Sequence, residues 1–377
     1  MPTASFLVSG GFPDIADVRG GQAEVLARVG LLKAAVEERG GVRANEVPMC
    51  PLCGNPGDLK YRDLSDRSWG APGLWNFREC RRCGHLWLDP QPPSEEIGRL
   101  YESYYTHGTE RPSPLEGDGA WPRLRRGVLE AIGYRGIARD STERFAGLAA
   151  RLLPPVWEEC EAIVRFVPGP AHGHLLDVGS GDGSFLQMMR DLGFAVQGVE
   201  PDPAAAAVAK AHGLPVIESS IEQASLPDDT FDVIVMSHVI EHVADPVAAF
   251  VAARRGLRPG GRLLVFTPNS ESWGHALFGR SWYPLEPPRH LHVFRADNLI
   301  RCAERAGLQV RRMRTTGRLH LIFDASRGIR KTGRYAFDDP AIQASVLERI
   351  FRVVENLLVR VGPNLGEELV MDCTKAP

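Results

Sequence analysis

The chain of 377 residues contains 44 Lys and Arg residues against 47 Asp and Glu residues, which gives a formal net charge of −3. This length suffices for a full α/β core and a second, smaller unit. The charge balance supplies no basic field for a nucleic-acid backbone or an anionic membrane, and no run of about 20 apolar residues could span a bilayer. We therefore expect a cytoplasmic protein that acts on a small molecule.

The N-terminal extension, residues 1–45, contains a candidate helix at residues 22–38. Its apolar residues recur every three or four positions, a spacing that predicts one buried face. They are Val25, Leu26, Val29, Leu32 and Val36. The sequence leaves open whether this face packs within the chain or forms a homodimer contact.

Residues 46–90 carry four of the seven cysteines in two C-x-x-C-G pairs, Cys50 with Cys53 and Cys80 with Cys83. In each pair the sulfurs can converge, and the following glycine permits a tight turn. Four thiolates form a closed tetrahedral zinc site, so we predict a structural zinc-binding module. A redox role is the alternative, but neither pair opens a helix in a thioredoxin-like setting. His85 is adjacent and is a competing ligand candidate.

Residues 91–170 are predicted to form a helical linker that caps a neighbouring active site. From residue 171 to 377, strands alternate with Gly-rich turns and helices, which predicts an α/β domain with a parallel sheet. The seven predicted strands cover residues 174–178, 195–200, 215–218, 231–237, 262–267, 309–315 and 368–374. The predicted helices cover residues 184–192, 204–212, 246–256 and 296–306, with a helical insertion near 320–362. The polar, charged flanks of the last strand predict a position at the sheet edge.

The turn after the first of these strands predicts a ligand site. An apolar strand that ends near Asp177 runs into Gly179, Gly181 and Gly183 and then into a helix. Glycines let a ligand approach the backbone closely where a strand passes into a helix. Glu200 ends the next strand, where a carboxylate can accept hydrogen bonds from both hydroxyls of a ribose. Dinucleotide-binding proteins use a similar turn and acid, so these residues alone leave a dehydrogenase open.

From residue 173 onward the chain resembles a class I S-adenosylmethionine-dependent methyltransferase. The resemblance lies in segments 177–183, 226–232, 237–243 and 257–261 and in Glu200, which occur in the family's order over about half the chain. It implies a Rossmann-like, seven-stranded α/β sheet and S-adenosylmethionine as the cofactor. The residues that it assigns to cofactor binding are Asp177, Gly179, Gly181, Gly183, Glu200, Pro201, Ser220, Ile221, Ser237 and His238.

Segments 268–269, 282–283 and 287–294 resemble a methyltransferase subgroup that bears a zinc ribbon and acts in sugar, polysaccharide and natural-product pathways. This resemblance implies O- or C-methylation of a small acceptor such as a sugar or polyketide intermediate. The N-terminal extension and the helical insertion depart from the subgroup's pattern. The acceptor itself is therefore not carried over.

Two histidines are the candidate general bases for in-line methyl transfer. His242 follows the fourth strand and His290 follows the fifth, and both belong to the carboxyl edge, where open α/β sheets bind ligands. Histidine has a suitable pKa for taking a proton from a hydroxyl or an acidic carbon. His238 and His292 are close alternatives for this role. The predicted acceptor-binding residues are Arg289 for an anionic group and His292, Trp282 and Tyr283 for the pocket wall. Each of these residues has a purely structural role as its alternative.

Three other functions remain open at this point. The first is a protein or RNA methyltransferase, in which the zinc module would bind the macromolecule and Arg81 and Arg82 would supply local positive charge. The acidic overall charge of the chain argues against this function. A non-catalytic protein that binds S-adenosylmethionine is the second. An NAD-dependent dehydrogenase is the third, and tight NAD binding would distinguish it.

Overall fold

A computed structural model describes residues 36–39, 41–97, 100, 113–169, 173–317, 319, 321–335 and 345–377. Its first five strands are β1 (Val36–Arg39), β2 (Val42–Asn45), β3 (Gly57–Leu64), β4 (Trp75–Cys80) and β5 (Leu86–Leu88). The helix predicted over residues 22–38 lies mostly outside the described residues. Its last three residues belong to β1, which pairs antiparallel with β2, so the prediction is wrong there. Gly41, at φ 90°, permits the tight return between the two strands.

Four helices follow: α1 (Ser94–Ile97), α2 (Ala120–Ala131), α3 (Ser141–Ala149) and α4 (Pro154–Ala162). Leu129 of α2 and Val164 and Val167 beyond α4 are buried in a cluster that includes residues of the main sheet. Helix α2 and the segment after α4 thus pack against a face of that sheet. Their predicted role as a cap over an active site stays a prediction.

The main sheet has seven strands, as the sequence predicts. They are β6 (His174–Val178), β7 (Ala195–Glu200), β8 (Val216–Glu218), β9 (Phe231–Ser237), β10 (Leu257–Pro268), β12 (Leu308–Thr316) and β13 (Glu368–Lys375). Their spatial order is β12-β13-β10-β9-β6-β7-β8. Strands β6 to β10 run parallel to one another, so their carboxyl ends meet at one edge.

Strand β13 corrects the prediction of an edge position. It lies between β10 and β12 and pairs antiparallel with both. Leu369, Met371 and Cys373 are fully buried, while the charged Glu368 and Lys375 stand only at its two ends and bond to Thr316 and Asp229. The polar flanks therefore reflect local partners at the strand ends and not exposure of the strand.

Alternate residues of the central strands enter separate cores on the two faces of the sheet, as the period of two in a strand requires. Leu176, Ile234 and Val265 belong to one core. Leu175 and Val233 belong to the other. The strands are buried on both faces, which explains their nearly continuous apolar sequence.

The helices of this half are α5 (Ser184–Asp191), α6 (Pro203–Ala211), α7 (Pro246–Gly256), α8 (Trp273–Phe278), α9 (Ala296–Arg305), α10 (Ile322–Thr332) and α11 (Val346–Val361). Both α6 and α7 begin with an Asp-Pro pair. Asp202 and Asp245 accept hydrogen bonds from backbone N–H groups of the first turn, and the proline fixes a helical φ. None of the helices in the described residues is long and apolar enough to cross a membrane.

A second sheet joins the cysteine-containing module to the main domain. Its order is β11-β5-β4-β3, and β11 (His292–Val293) comes from the chain beyond β10. The hydrophobic core beside this sheet also combines residues of the module with residues of the main domain. Trp75 and Phe77 of β4 pack there with Trp282 and with Phe351 of α11. The module of residues 46–90 is therefore completed by residues from the main domain.

Candidate functional site

The turn after β6 brings its three glycines to the carboxyl edge of the sheet. Gly179, Gly181 and Gly183 have φ angles of 71°, 54° and 83°, which side chains rarely adopt. A Cβ at Gly179 would meet Val239 at 2.5 Å, whereas one at Gly181 would meet nothing within 4 Å. The first glycine is thus required by close packing. Gly181 is required by its backbone angle and faces open space, as a ligand-binding turn needs.

Glu200, at the end of β7, is tied to this turn. One carboxylate oxygen accepts a hydrogen bond of 2.7 Å from the backbone N–H of Gly181, and the other accepts one of 2.9 Å from Asp202. The side chain is almost fully buried, and burial raises its pKa above the ordinary value. The structure therefore brings together the glycine turn and Glu200, as the sequence predicts. The carboxylate is pre-oriented beside the open turn.

Asp177 at the end of β6 has a partner that the sequence analysis missed. Its Oδ1 accepts a hydrogen bond of 2.5 Å from Arg165 Nη1, while its buried Oδ2 has no hydrogen-bond partner among the described residues. Burial raises the pKa of Asp177 to about 6 against the opposing effect of Arg165. Arg165 itself has a positive φ of 50°. An unpaired buried oxygen at this edge fits a site that receives a polar ligand.

The remaining predicted cofactor residues follow β7, β8 and β9 at the same edge. The backbone N–H of Ser219, next to Ser220, donates to the carbonyl of Glu200 at 3.1 Å. Ile221 is buried in the core of the sheet, and Pro201 is exposed. Ser237 ends β9 and is half-buried.

His238 is held between two carboxylates. Its Nδ1 and Nε2 each lie 3.2 Å from a carboxylate oxygen, of Glu241 and Glu368 respectively. Burial alone lowers the pKa of His238, but the two carboxylates outweigh it and raise the pKa to about 10. His238 is therefore a cation at neutral pH and is not available as a base.

Glu241, His242 and His290 converge beside it. A carboxylate oxygen and two ring nitrogens of these residues lie within 4.8 Å of one another. The two imidazole rings stand edge to face with centroids 4.7 Å apart. Both predicted histidines are thus brought together, and Glu241 is a third member that the sequence analysis did not assign.

The tautomers of both histidines follow from their backbone partners. His242 Nδ1 donates to the carbonyl of Arg289 at 3.0 Å, and His290 Nδ1 donates to the carbonyl of Pro284 at 2.7 Å. The neutral ring of His242 therefore keeps the proton on Nδ1 and a lone pair on Nε2. Burial, reinforced by His290, lowers the pKa of His242 to about 4, so His242 is neutral at physiological pH.

Arg289 has its donors committed within the protein. It is buried and bonds to Glu286 and Asp66, each at 2.9 Å, and to the carbonyl of Leu100. These contacts give no support to the predicted binding of an anionic acceptor by Arg289. They anchor the loop that carries His290 to the loop that follows β3.

The other predicted pocket residues lie in packed surroundings. Trp282 is fully buried and donates through Nε1 to Glu367 at 2.7 Å, and Tyr283 is half-buried beside it. His292 lies on β11, where its Nδ1 is 3.0 Å from Nε2 of His85. Both residues of this pair are fully buried. The His85 ring thus contacts His292, while the His85 backbone contacts the cysteine cluster, since its carbonyl accepts a hydrogen bond of 2.9 Å from the backbone N–H of Cys80.

The four cysteines of the two C-x-x-C pairs form one cluster. The Sγ atoms of all four lie within 4.8 Å of one another, and Cys53 Sγ is 3.4 Å from Cys80 and 3.6 Å from Cys83. Zinc at about 2.3 Å from each sulfur of a tetrahedron requires sulfurs about 3.8 Å apart. Gly54 and Gly84 take positive φ as the turns require. The cluster could therefore hold a zinc ion.

A comparison with protein families identifies a domain that includes this site. Residues 153–312 match the family model described as a methyltransferase domain. This segment begins just before α4, ends in β12 and includes the glycine turn, Glu200 and both histidines. Over this segment the chain is similar to a methyltransferase domain, and S-adenosylmethionine is the cofactor that such a fold implies.

Curated relatives add named enzymes to this comparison. The ubiquinone biosynthesis O-methyltransferase of Cereibacter sphaeroides is 34% identical over 154 residues, which cover 37% of this chain and 62% of that protein. Its counterpart in Methylobacterium is 33% identical over 156 residues, with coverage of 38% and 63%. The chain therefore spans about three-fifths of the length of the curated relatives it matches.

Solved structures are similar at lower identity. A methyltransferase from Thermotoga maritima, described as a possible histamine N-methyltransferase, is 22% identical, with a TM-score of 0.39 and coverage of 66% of this chain and 99% of that one.

Proposed function

We propose that this protein transfers a methyl group from S-adenosylmethionine to a small-molecule acceptor, at an oxygen or an acidic carbon. The observation that carries the proposal is the meeting of two groups at one sheet edge. One is the Glu200 carboxylate, which the backbone N–H of Gly181 holds beside an open turn, in a position to bind a ribose. The other is the cluster of Glu241, His242 and His290.

Glu200 and the glycine turn would bind the cofactor. Glu200 keeps lone pairs for the ribose hydroxyls after its two backbone bonds, since a carboxylate offers about four acceptor positions. The unpaired Oδ2 of Asp177 lies at the same edge and would accept a further polar group. When bound, the cofactor supplies an electrophilic methyl group on a sulfonium. The chain's own task is to align the acceptor and exclude water.

His242 is the proposed proton acceptor, with His290 as its neighbour. Its Nδ1–H bond to the carbonyl of Arg289 fixes the tautomer that has its lone pair on Nε2. The low pKa keeps that nitrogen unprotonated at neutral pH. The carboxylate of Glu241 lies within the same cluster and would stabilise the imidazolium that forms when His242 takes the proton.

The acceptor atom is proposed to be an oxygen in the first instance, because the curated relatives are named O-methyltransferases. A sugar or another natural-product intermediate remains the proposed acceptor class from the sequence. The four-cysteine cluster is proposed to bind a structural zinc, which would stabilise the module that pairs with β11.

Calorimetric titration tests the cofactor proposal directly. Purified protein would be titrated with S-adenosylmethionine, S-adenosylhomocysteine and NAD, and its zinc content measured. Binding of both adenosyl ligands with one zinc per chain supports the proposal. Binding of NAD alone would overturn it and point to redox chemistry.

Turnover requires a screen of acceptors. The release of S-adenosylhomocysteine would be followed with panels of phenols, catechols and sugar nucleotides, together with a protein and RNA extract. Methylation of a small hydroxyl compound supports the proposal. Transfer only to the macromolecular fraction would favour the protein or RNA methyltransferase alternative.

A further inference from the structure

Arg67 is a buried cation whose terminal nitrogens have no hydrogen-bond partner in the described part of the chain. It lies in the loop between β3 and β4 and is only 7% exposed. Neither Nη1 nor Nη2 is hydrogen-bonded to any described residue. A buried charge that is neither paired nor hydrogen-bonded is costly, so a fold that retains one signals a missing partner.

The neighbouring carboxylate of Asp66 accepts no hydrogen bond from these terminal nitrogens. Asp66 accepts hydrogen bonds at Oδ1 from the backbone N–H groups of Ser68 and Trp69, and at Oδ2 from Ala71 and from Arg289 Nη2. Its carboxylate thus already receives four donors. The charge of Asp66 is shared with Arg289, while Arg67 keeps its terminal N–H groups unsatisfied.

A second arginine, Arg280, adds to the positive charge at this position. Burial and the charge of Arg280 lower the pKa of Arg67 to about 10, against the opposing effects of Asp66 and Tyr61. Arg280 itself is exposed. Because Asp66 is hydrogen-bonded to Arg289, the two arginines leave an excess of positive charge here, to which an anion would be attracted.

The position is linked to the candidate active site. Asp66, the neighbour of Arg67 in sequence, bonds to Arg289, and Arg289 precedes His290 of the proposed catalytic cluster. On the opposite side, the backbone carbonyl of Arg67 accepts a hydrogen bond from Tyr335 at 2.9 Å. The loop is therefore held in place from two directions, as a rigid binding position requires.

We propose that the guanidinium of Arg67 binds an anionic group, a carboxylate or a phosphate, on the methyl acceptor. A planar guanidinium with two free terminal nitrogens matches the paired oxygens of either group. The proposal rests on the proposed methyltransferase function and adds to it the chemical class of the acceptor. It transfers to Arg67 the role that the sequence suggested for Arg289.

Anion titration of the full chain tests this site without a known acceptor. Thermal unfolding would be followed in low-chloride buffer with inorganic phosphate in one series and acetate in the other. We expect one or both anions to raise the Tm of the wild type. In Arg67→Met the affinity for that anion should fall by at least about tenfold, whereas Arg62→Met, at an exposed arginine five positions earlier, should respond like the wild type.

Each pattern has a definite meaning. A response to phosphate alone indicates a phosphorylated acceptor, and a response to acetate alone indicates a carboxylic acid. If neither anion raises the Tm of the wild type, or if Arg67→Met responds equally, the proposal is overturned.

The stability of the variant gives a second measurement. An unpaired buried charge destabilises the fold, so Arg67→Met should have a higher Tm than the wild type in anion-free buffer. A structural arginine would give the opposite sign, and a lower Tm would count against the proposal.

Failure of the subsite is distinguishable from failure of the proposed function. S-adenosylhomocysteine would be titrated into the same samples, and its affinity should be equal in the wild type and in Arg67→Met. Binding of this ligand without an anion effect at Arg67 refutes only the subsite. Absence of this binding in the wild type refutes the proposed function.

Discussion

The Nε2 atom of His85 lies 3.0 Å from the Nδ1 atom of His292, although the two residues are 207 positions apart in the chain. His85 follows Cys83 in the cysteine module, and His292 opens β11 in the main domain. Both rings are fully buried, and burial lowers the pKa of His292 to about 4 and that of His85 well below its ordinary value. The contact fastens the module to the loop that carries His290.

We expect three buried histidines to contribute a stability that is lost as the pH falls from about 6.5 towards 4. The pKa values of His85, His242 and His292 are lowered in the folded state, so these groups bind more protons in the unfolded chain over this range. Each contribution is full above about pH 6.5 and falls by up to about 1.4 kcal/mol per pH unit. Buried carboxyl groups whose pKa values are raised, Asp177 to about 6 and Glu367 to about 7, act in the opposite direction.

Urea unfolding at pH 7.5, 6.0 and 5.0 measures this dependence. His242→Gln can keep a donor for the carbonyl of Arg289 without a titrating ring, so between pH 7.5 and 5.0 it should lose less stability than the wild type, or gain more. Zinc content at each pH separates proton uptake from loss of metal. An equal change in unfolding free energy in the two proteins would contradict the prediction.

Loss of one thiolate should unfold the cysteine module. In Cys53→Ser we expect the zinc content to fall well below one per chain and the unfolding free energy to drop by on the order of 3 kcal/mol or more. Cys160 is buried outside the cluster, so Cys160→Ser should retain the metal. Equal zinc content in the two variants, measured by atomic absorption, would refute the assignment.

Glu200→Gln should weaken the binding of S-adenosylhomocysteine by about tenfold or more, since a hydrogen bond to a charged group contributes about 1.5–3 kcal/mol. Calorimetry provides the measurement. Glu218, at the end of the neighbouring β8, is exposed and pairs with Lys210. Glu218→Gln is therefore the matched control and should bind like the wild type. Unchanged affinity in Glu200→Gln would show that the carboxylate does not contact the cofactor.

Removal of the proposed base should lower kcat by about 10²- to 10⁴-fold, the usual contribution of general base catalysis. We expect this loss in His242→Ala and a loss in His290→Ala, with affinity for S-adenosylhomocysteine retained in both. His174 is exposed at the opposite end of β6, and His174→Ala serves as the control. If both variants turn over the true acceptor at the wild-type rate, the histidine base is wrong.

Much of the site could be predicted because its residues follow consecutive parallel strands. The turn from Gly179 to Gly183 and the acid Glu200 lie at neighbouring strand ends, so the strand pattern alone brings them together. The contacts of Arg165 and Arg67 could not be predicted, since their partners, or the lack of them, depend on how distant loops pack. Glu241 lies inside a recognised motif, but only the fold reveals its place beside His290.

The sequence by itself determined the alternating strands and helices, the glycine turn and the spacing of the cysteine pairs, because these depend on local backbone geometry and periodicity. Only the tertiary structure decided that β13 enters the middle of the sheet, that β11 completes the cysteine module, and that Arg289 is neutralised while Arg67 is not. Strand order and charge pairing join residues far apart in the chain. Their free energies depend on the packing of the whole molecule and on which carboxylates remain available.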